Sequence, residues 1–197
     1  MTPVPENAPR IKARWLHYLG RVAFFFHGWK FEGEFPNEKK VILAVAPHTS
    51  NWDFLLAITV ILLVRIRATL FMKKEAFFWP MGAVFRWLGF MPIDRGAAGG
   101  VVGSTIRHFQ ESEQLWVVIM PEGTRRKVVK WKEGFLRIAH EADVPIMMMG
   151  LDYSTKTMHL GKMYRATGDR KADMHEVMRY LTQFKGKCPE NQPERVE

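Results

Sequence analysis

The apolar positions of this chain fall into two kinds of stretch. Residues 41–46, 115–120 and 144–153 are nearly continuous apolar runs, rich in β-branched residues or methionine, and predict strands covered on both faces, and residues 68–72 fit a further strand. Residues 30–35 alternate apolar and polar positions and predict a further strand, and residues 157–163 an outer one. Helical spacing fills the intervals. It predicts helices over residues 52–64, over 76–88 with Pro80 in the first turn, over a segment ending near Glu113, over 133–142, and over 173–184, where Met174, Val177, Met178 and Leu181 share a face. Residues 89–95 read as a short strand between turn signals, and Gly96, Gly99, Gly100 and Gly103 as a mobile loop leading into the next helix. Strands and helices in alternation predict the α/β class: a single domain with a mixed, mostly parallel central sheet flanked by helices, and an N-terminal amphipathic helix ahead of it.

The two ends read differently from the middle. Residues 1–9 hold three prolines and predict a loose arm, and beyond Lys185 the chain is polar and predicted loose. Between Arg10 and Trp29, apolar residues such as Ile11, Trp15, Leu19, Val22 and Phe26 recur at helical spacings, with Lys12, Arg14 and Arg21 among them. Charge interrupts this stretch too often for a bilayer span, which needs about 20 mostly apolar residues. It fits a helix lying in a membrane interface, a helix packed on the domain, or both at once. Residues 54–64 are the longest apolar run, short for a span, and predict a buried helix. The expected division is an arm and amphipathic helix, suited to a membrane interface, over residues 1–30, and one domain over residues 31–197.

Composition narrows the class. At 197 residues the chain fits one domain, and a hydrophobic share of 47% excludes a disordered one. A single cysteine, Cys188, and no cleavable signal pattern predict a reducing, cytosol-facing location, and no metal site is expected. The formal charge of +9 calls for an acidic partner: nucleic acid, an anionic membrane surface or a phosphorylated small molecule. The aromatic residues lie in clusters, Phe24-Phe25-Phe26 and Phe77-Phe78-Trp79, without a nucleic-acid-binding pattern, which favours lipid.

The candidate chemistry sits where two buried runs end. Residues 41–46 stop at Pro47 and are followed by His48-Thr-Ser-Asn-Trp-Asp53. Thr49, Ser50 and Asn51 are good N-caps, so the predicted order is strand, loop, helix, with His48 on the loop and Asp53 in the first turn. On one continuous helix the two would stand about 140° apart, whereas the loop lets them meet. A carboxylate accepting the Nδ1 proton of His48 would fix its tautomer and leave Nε2 free to take a proton from a substrate hydroxyl. Backbone N–H groups near the start of this helix are candidates to hold an oxyanion. The same stretch also fits a plain helix cap beside a surface histidine.

Residues 115–120 repeat the construction, breaking at Pro121 to release Glu122-Gly123-Thr124-Arg125-Arg126. Ligands of open α/β folds sit beyond the carboxyl ends of strands, so both clusters are expected to face one crevice. Arg125 could hold a phosphate by a two-point fork, with Gly123 allowing close backbone approach and Thr124 adding a hydroxyl; the alternative is a solvated loop. Residues 127–132, basic with Val128, Val129 and Trp131 interleaved, fit a headgroup-facing loop or a plain surface one.

With both clusters in view the chain resembles the lysophospholipid acyltransferase family, the group that includes 1-acylglycerol-3-phosphate acyltransferases. Four blocks carry the resemblance in order: His48 to Asp53, similar to H-x4-D; Gly89 to Arg95, ending Ile93-Asp94-Arg95; Pro121-Glu122-Gly123-Thr124-Arg125; and Val144-Pro145-Ile146. Lys73-Lys74-Glu75 up to Pro80, and Trp131 to Phe135, also resemble family segments. Met120, Arg126 and Pro47 depart from the usual Phe, Ser and Asn, and Met147 to Met149 stand where a second proline is often found. The resemblance implies an O-acyltransferase with His48 as general base and Asp53 as its orienter. Arg95, Glu122, Gly123, Thr124, Arg125 and Lys74 would bind substrate. It implies no cofactor, acyl-CoA or acyl carrier protein serving as co-substrate. The expected partners are a lysophospholipid acceptor, an acyl thioester donor and an anionic membrane surface, with no nucleic acid. The expected location is the cytoplasmic side of a membrane, as a peripheral or monotopic protein. The rival reading is a non-catalytic basic protein that binds anionic membrane or nucleic acid through the N-terminal helix and residues 127–132.

Overall fold

The computed structural model describes residues 3–72, 74–92 and 99–196. Seven strands form one sheet: β1 (Lys30–Gly33), β2 (Lys40–Ala46), β3 (Ala68–Met72), β4 (Met91–Pro92), β5 (Leu115–Ile119), β6 (Ile146–Asp152) and β7 (Thr157–Tyr164), in the order β1-β7-β6-β2-β5-β3-β4. Neighbours are parallel except the β6–β7 hairpin. The sheet is therefore mixed and mostly parallel, in an α/β fold. Arg95 and the start of the expected glycine loop at Gly96 lie outside the described residues.

Six α-helices cover the sheet: α1 (Trp15–His27), α2 (Trp52–Val64), α3 (Met81–Leu88), α4 (Gly100–Glu111), α5 (Gly134–Glu141) and α6 (Arg170–Leu181). Alternation along β2 decides which face each side chain serves. Val41, Leu43 and Val45 pack with Leu16, Leu56, Phe85 and Leu88 of α1, α2 and α3. Ile42, Ala44 and Ala46 pack with Ile106, Phe135 and Val177 of α4, α5 and α6. The helix α2 is apolar on all sides because α1 crosses it on the outside. A Cβ on Gly20 would stand 2.2 Å from the Leu63 nitrogen, so the two backbones meet where only glycine leaves room. From the Arg65 end of α2, where Ile11 N–H donates to the Arg65 carbonyl at 2.8 Å, α1 rises to the β6–β7 turn, where Lys30 N–H donates to the Lys156 carbonyl at 3.0 Å.

Four expectations are corrected. The helix expected over residues 76–88 is only α3, preceded by a 3-10 turn (Lys74–Ala76), because Pro80, which lacks an N–H, stands ahead of Met81 as the N-cap. Thr157–Tyr164 is not the outer strand: β1 adds to it in parallel and closes the edge, Gly33 lying so close to the Leu160 carbonyl that no Cβ fits. The expected loose arm is tied down, since Arg10 bridges Ile66, Arg67 N–H donates to the Pro9 carbonyl at 2.8 Å, and Ala8 and Ile11 are buried. The tail beyond Lys185 is seated too, on the loop after β2.

Candidate active site

At the carboxyl edge of the sheet, the loop from Pro47 to Asn51 folds around the Asp53 carboxylate in the first turn of α2. Asp53 Oδ2 accepts from the N–H groups of Thr49 and Ser50, each at 2.9 Å, and lies 3.0 Å from His48 Nδ1. Its Oδ1 accepts from the Tyr153 hydroxyl at 2.5 Å. The carboxylate is 2% exposed, so burial works to raise its pKa, but hydrogen bonds from His48, Tyr153 and Ser50 outweigh that and hold it below the ordinary carboxylate value. The Tyr153 phenol is pushed up, first by burial and then by Asp53, which keeps it a donor. An anionic Asp53 with four donors can orient a neutral His48 and stabilise its protonated form.

Glu122 joins the second loop to the first. Its Oε2 accepts from His48 N–H at 2.7 Å, while its Oε1 is buried with no hydrogen-bond partner among the described residues. Burial raises this carboxyl to about 7; the bond from His48 opposes the shift and the Asp53 charge adds to it. Expected from the resemblance to bind substrate, Glu122 here holds the backbone at His48. Gly123 turns the chain at φ 66°, Thr124 Oγ1 accepts from Arg126 N–H at 3.3 Å, and Arg125 is exposed with no ion pair among the described residues. Lys74, exposed, follows β3 at the same sheet edge. Of the N–H groups around the start of α2, those of Thr49 and Ser50 in the loop are engaged by Asp53, and that of Trp52 by Ser50 Oγ at 3.2 Å.

An apolar cavity of about 60 Å³ begins at His48 and Asp53 and runs between α2 and the sheet. Leu56, Ala57, Val60, Ile61 and Val64 line it at helical spacing, so one stripe of α2 faces the slot over about 12 Å.

Tyr153 and the tail were not assigned roles from sequence. Tyr153 terminates β6 as His48 and Glu122 follow β2 and β5, so the same rule of polar residues beyond strand ends pointed to it. Nothing in the polar tail signals its seat. Lys185 O accepts from Tyr153 N–H at 2.8 Å, Cys188 N–H donates to Thr49 Oγ1 at 3.1 Å, and Lys187 Nζ lies 4.0 Å above the Trp52 ring.

Compared with known proteins, residues 29–152 match the model of a family described as Acyltransferase. The fold is similar to the crystal structure of the 1-acyl-sn-glycerophosphate (LPA) acyltransferase PlsC from Thermotoga maritima, with a TM-score of 0.64 and 18% sequence identity over 86% of this chain and 78% of that one. No curated protein matches the sequence.

Proposed function

The chain belongs to the acyltransferase family, and from that premise we propose that it moves a fatty acyl group from acyl-CoA or an acyl carrier protein to a hydroxyl of a lysophospholipid such as 1-acylglycerol-3-phosphate. The observation that carries this reading is the His48–Asp53 pair at the mouth of an apolar slot, beside a basic loop. His48 Nε2, the ring nitrogen that Asp53 does not engage, takes the proton of the acceptor hydroxyl as its oxygen attacks the thioester carbonyl. The tetrahedral intermediate collapses, the C–S bond breaks, and the imidazolium returns its proton to the leaving thiolate. Asp53 stays ionised throughout, and Tyr153 and Glu122 act as positioning residues, one on the carboxylate and one on the His48 backbone. Thr49, Ser50 and Trp52 N–H groups are given no part in holding the oxyanion.

Arg125, exposed and without an ion pair among the described residues, takes the acceptor's phosphate, with Gly123 and Thr124 shaping the loop; Lys74 and Arg95 join it by family resemblance. The slot along α2 takes an acyl chain. No helix among the described residues is long and apolar enough to cross a membrane, and the proposed attachment is peripheral or monotopic, on the cytoplasmic side, with α1 at an anionic surface.

Thioester consumption by the purified protein with a panel of lysophospholipids tests this reading. Turnover with a phosphorylated acceptor is expected, and His48→Ala should lower it about 10²- to 10⁴-fold with an unchanged circular dichroism spectrum. Transfer by the alanine variant at the wild-type rate rejects the mechanism, and no turnover with any acceptor favours the non-catalytic basic binder.

A further inference from the structure

The large apolar side chains left in water are unevenly placed. Among the described residues α4, α5 and α6 expose none, whereas α1, the start of α2, and α3 with the segment before it expose thirteen between them. Soluble surfaces seldom gather apolar groups this way without a partner. The three helices lie on one face of the sheet.

Topology then brings the most exposed of them to the edge that holds His48. Phe25 and Phe26, each 80% exposed, end α1 beside the β6–β7 turn, where Gly28 approaches Lys156. Trp52 and Leu55 open α2, immediately after the His48 loop. Phe78 and Trp79, the latter 89% exposed, follow the carboxyl end of β3, which is parallel to β5 and so finishes at the same edge as β2. Cations stand among them: Lys187 over the Trp52 ring, Lys156, Lys74, and Arg125 to Lys127 after β5. Apolar tips flanked by lysine and arginine are the profile of a surface that sinks its aromatics below the headgroups and meets lipid phosphates with its charges.

We propose that this protein docks on an anionic bilayer by its catalytic edge, through an aromatic collar that the end of α1, the start of α2 and residues 78–79 set around the His48 mouth. The choice of partner rests on the lysophospholipid reading above, since a bilayer delivers its own acceptor laterally to His48. A second copy of the chain on this edge would cover the mouth and bring like charges together. The collar extends the contact beyond α1, to a segment on the far side of α2. The outer residues Val84 and Trp87 of α3 continue it down that side, as Trp15, Tyr18 and Val22 do along α1.

Sedimentation of the full chain with vesicles tests the proposal. The vesicles are phosphatidylcholine alone, or phosphatidylcholine with phosphatidylglycerol. The variants are Phe78→Ser with Trp79→Ser, and Phe25→Ser with Phe26→Ser, each checked for fold by circular dichroism and for oligomeric state by light scattering. Binding should require phosphatidylglycerol, weaken with salt, and fall at least about tenfold in each double variant. Turnover of a monomeric short-chain acceptor in solution should stay within about twofold of wild type in both. Full binding by the residue 78–79 variant overturns the collar. So does a drop that coincides with conversion of a wild-type dimer to monomer, which would make the patch a contact between copies. Collar-dependent binding without acyl transfer to any acceptor would leave the docking standing and reject the proposed function instead.

Discussion

At the scale of single residues, the site is a carboxylate satisfied from three directions. Asp53 is held by its own loop, by His48, and from across the sheet by Tyr153, itself packed edge-on against Trp29 with ring centroids 4.9 Å apart. Tyr153→Phe removes one donor and leaves Oδ1 buried without it. The Asp53 pKa then rises, so the carboxylate is lost at a higher pH than in the wild type, and the acid limb of the kcat/KM profile that reports its protonation moves to higher pH, because a bond to a charged group is worth ~1.5–3 kcal/mol. A pH–rate profile checks this, and a role for Tyr153 in packing alone would leave the limb in place. The His–Asp pairing was legible from its spacing across a strand–helix junction. The Tyr153 partner, a hundred positions on, was not, because a contact of that separation depends on which strands become neighbours.

At the scale of elements, α2 carries the most. Its first turn holds Asp53, one stripe lines the slot, and its outer side receives α1. Val60→Trp fills the middle of the slot. Donors with short acyl chains should keep their rate while long-chain donors lose about tenfold or more, at a stability cost of ~1–3 kcal/mol. Rates across a chain-length series, together with a thermal melt, check both. The continuous apolar run announced a buried helix, but periodicity has no way to show a slot, which is space left between two elements that the chain specifies separately. Pro80 shows the converse: its chemistry was visible, and it stands just before α3 as the N-cap and not inside the first turn.

At the scale of the whole molecule, charge and pH bear on stability through the two buried carboxyls of the site, which behave in opposite ways. Glu122 is raised by burial from an ordinary 4.5 to about 7, so between those values the folded protein binds a proton that the unfolded chain does not. Its contribution is therefore most favourable below pH 4.5 and is lost as pH rises through about 7. Asp53 is lowered, so its contribution is present above the unfolded value of about 3.9 and is lost as pH falls through its folded value. Glu122→Gln keeps an acceptor for His48 N–H and removes the titration. Denaturant melts across pH 4.5–7.5 should show the wild type losing stability toward the alkaline end, and the variant with a flatter curve.

Local chemistry was enough to specify the α/β alternation, the two strand ends that release His48 and Glu122, and the basic excess, because strand and helix periods, proline breaks and charge are properties of neighbouring residues. The folding of the arm and tail onto the domain, the edge position of β1, the bond from His48 N–H to Glu122 and the arrival of three exposed aromatic segments at the edge that holds His48 came from packing. Each depends on which surfaces are brought together when the sheet forms, and residues far apart in the chain carry no local mark of that.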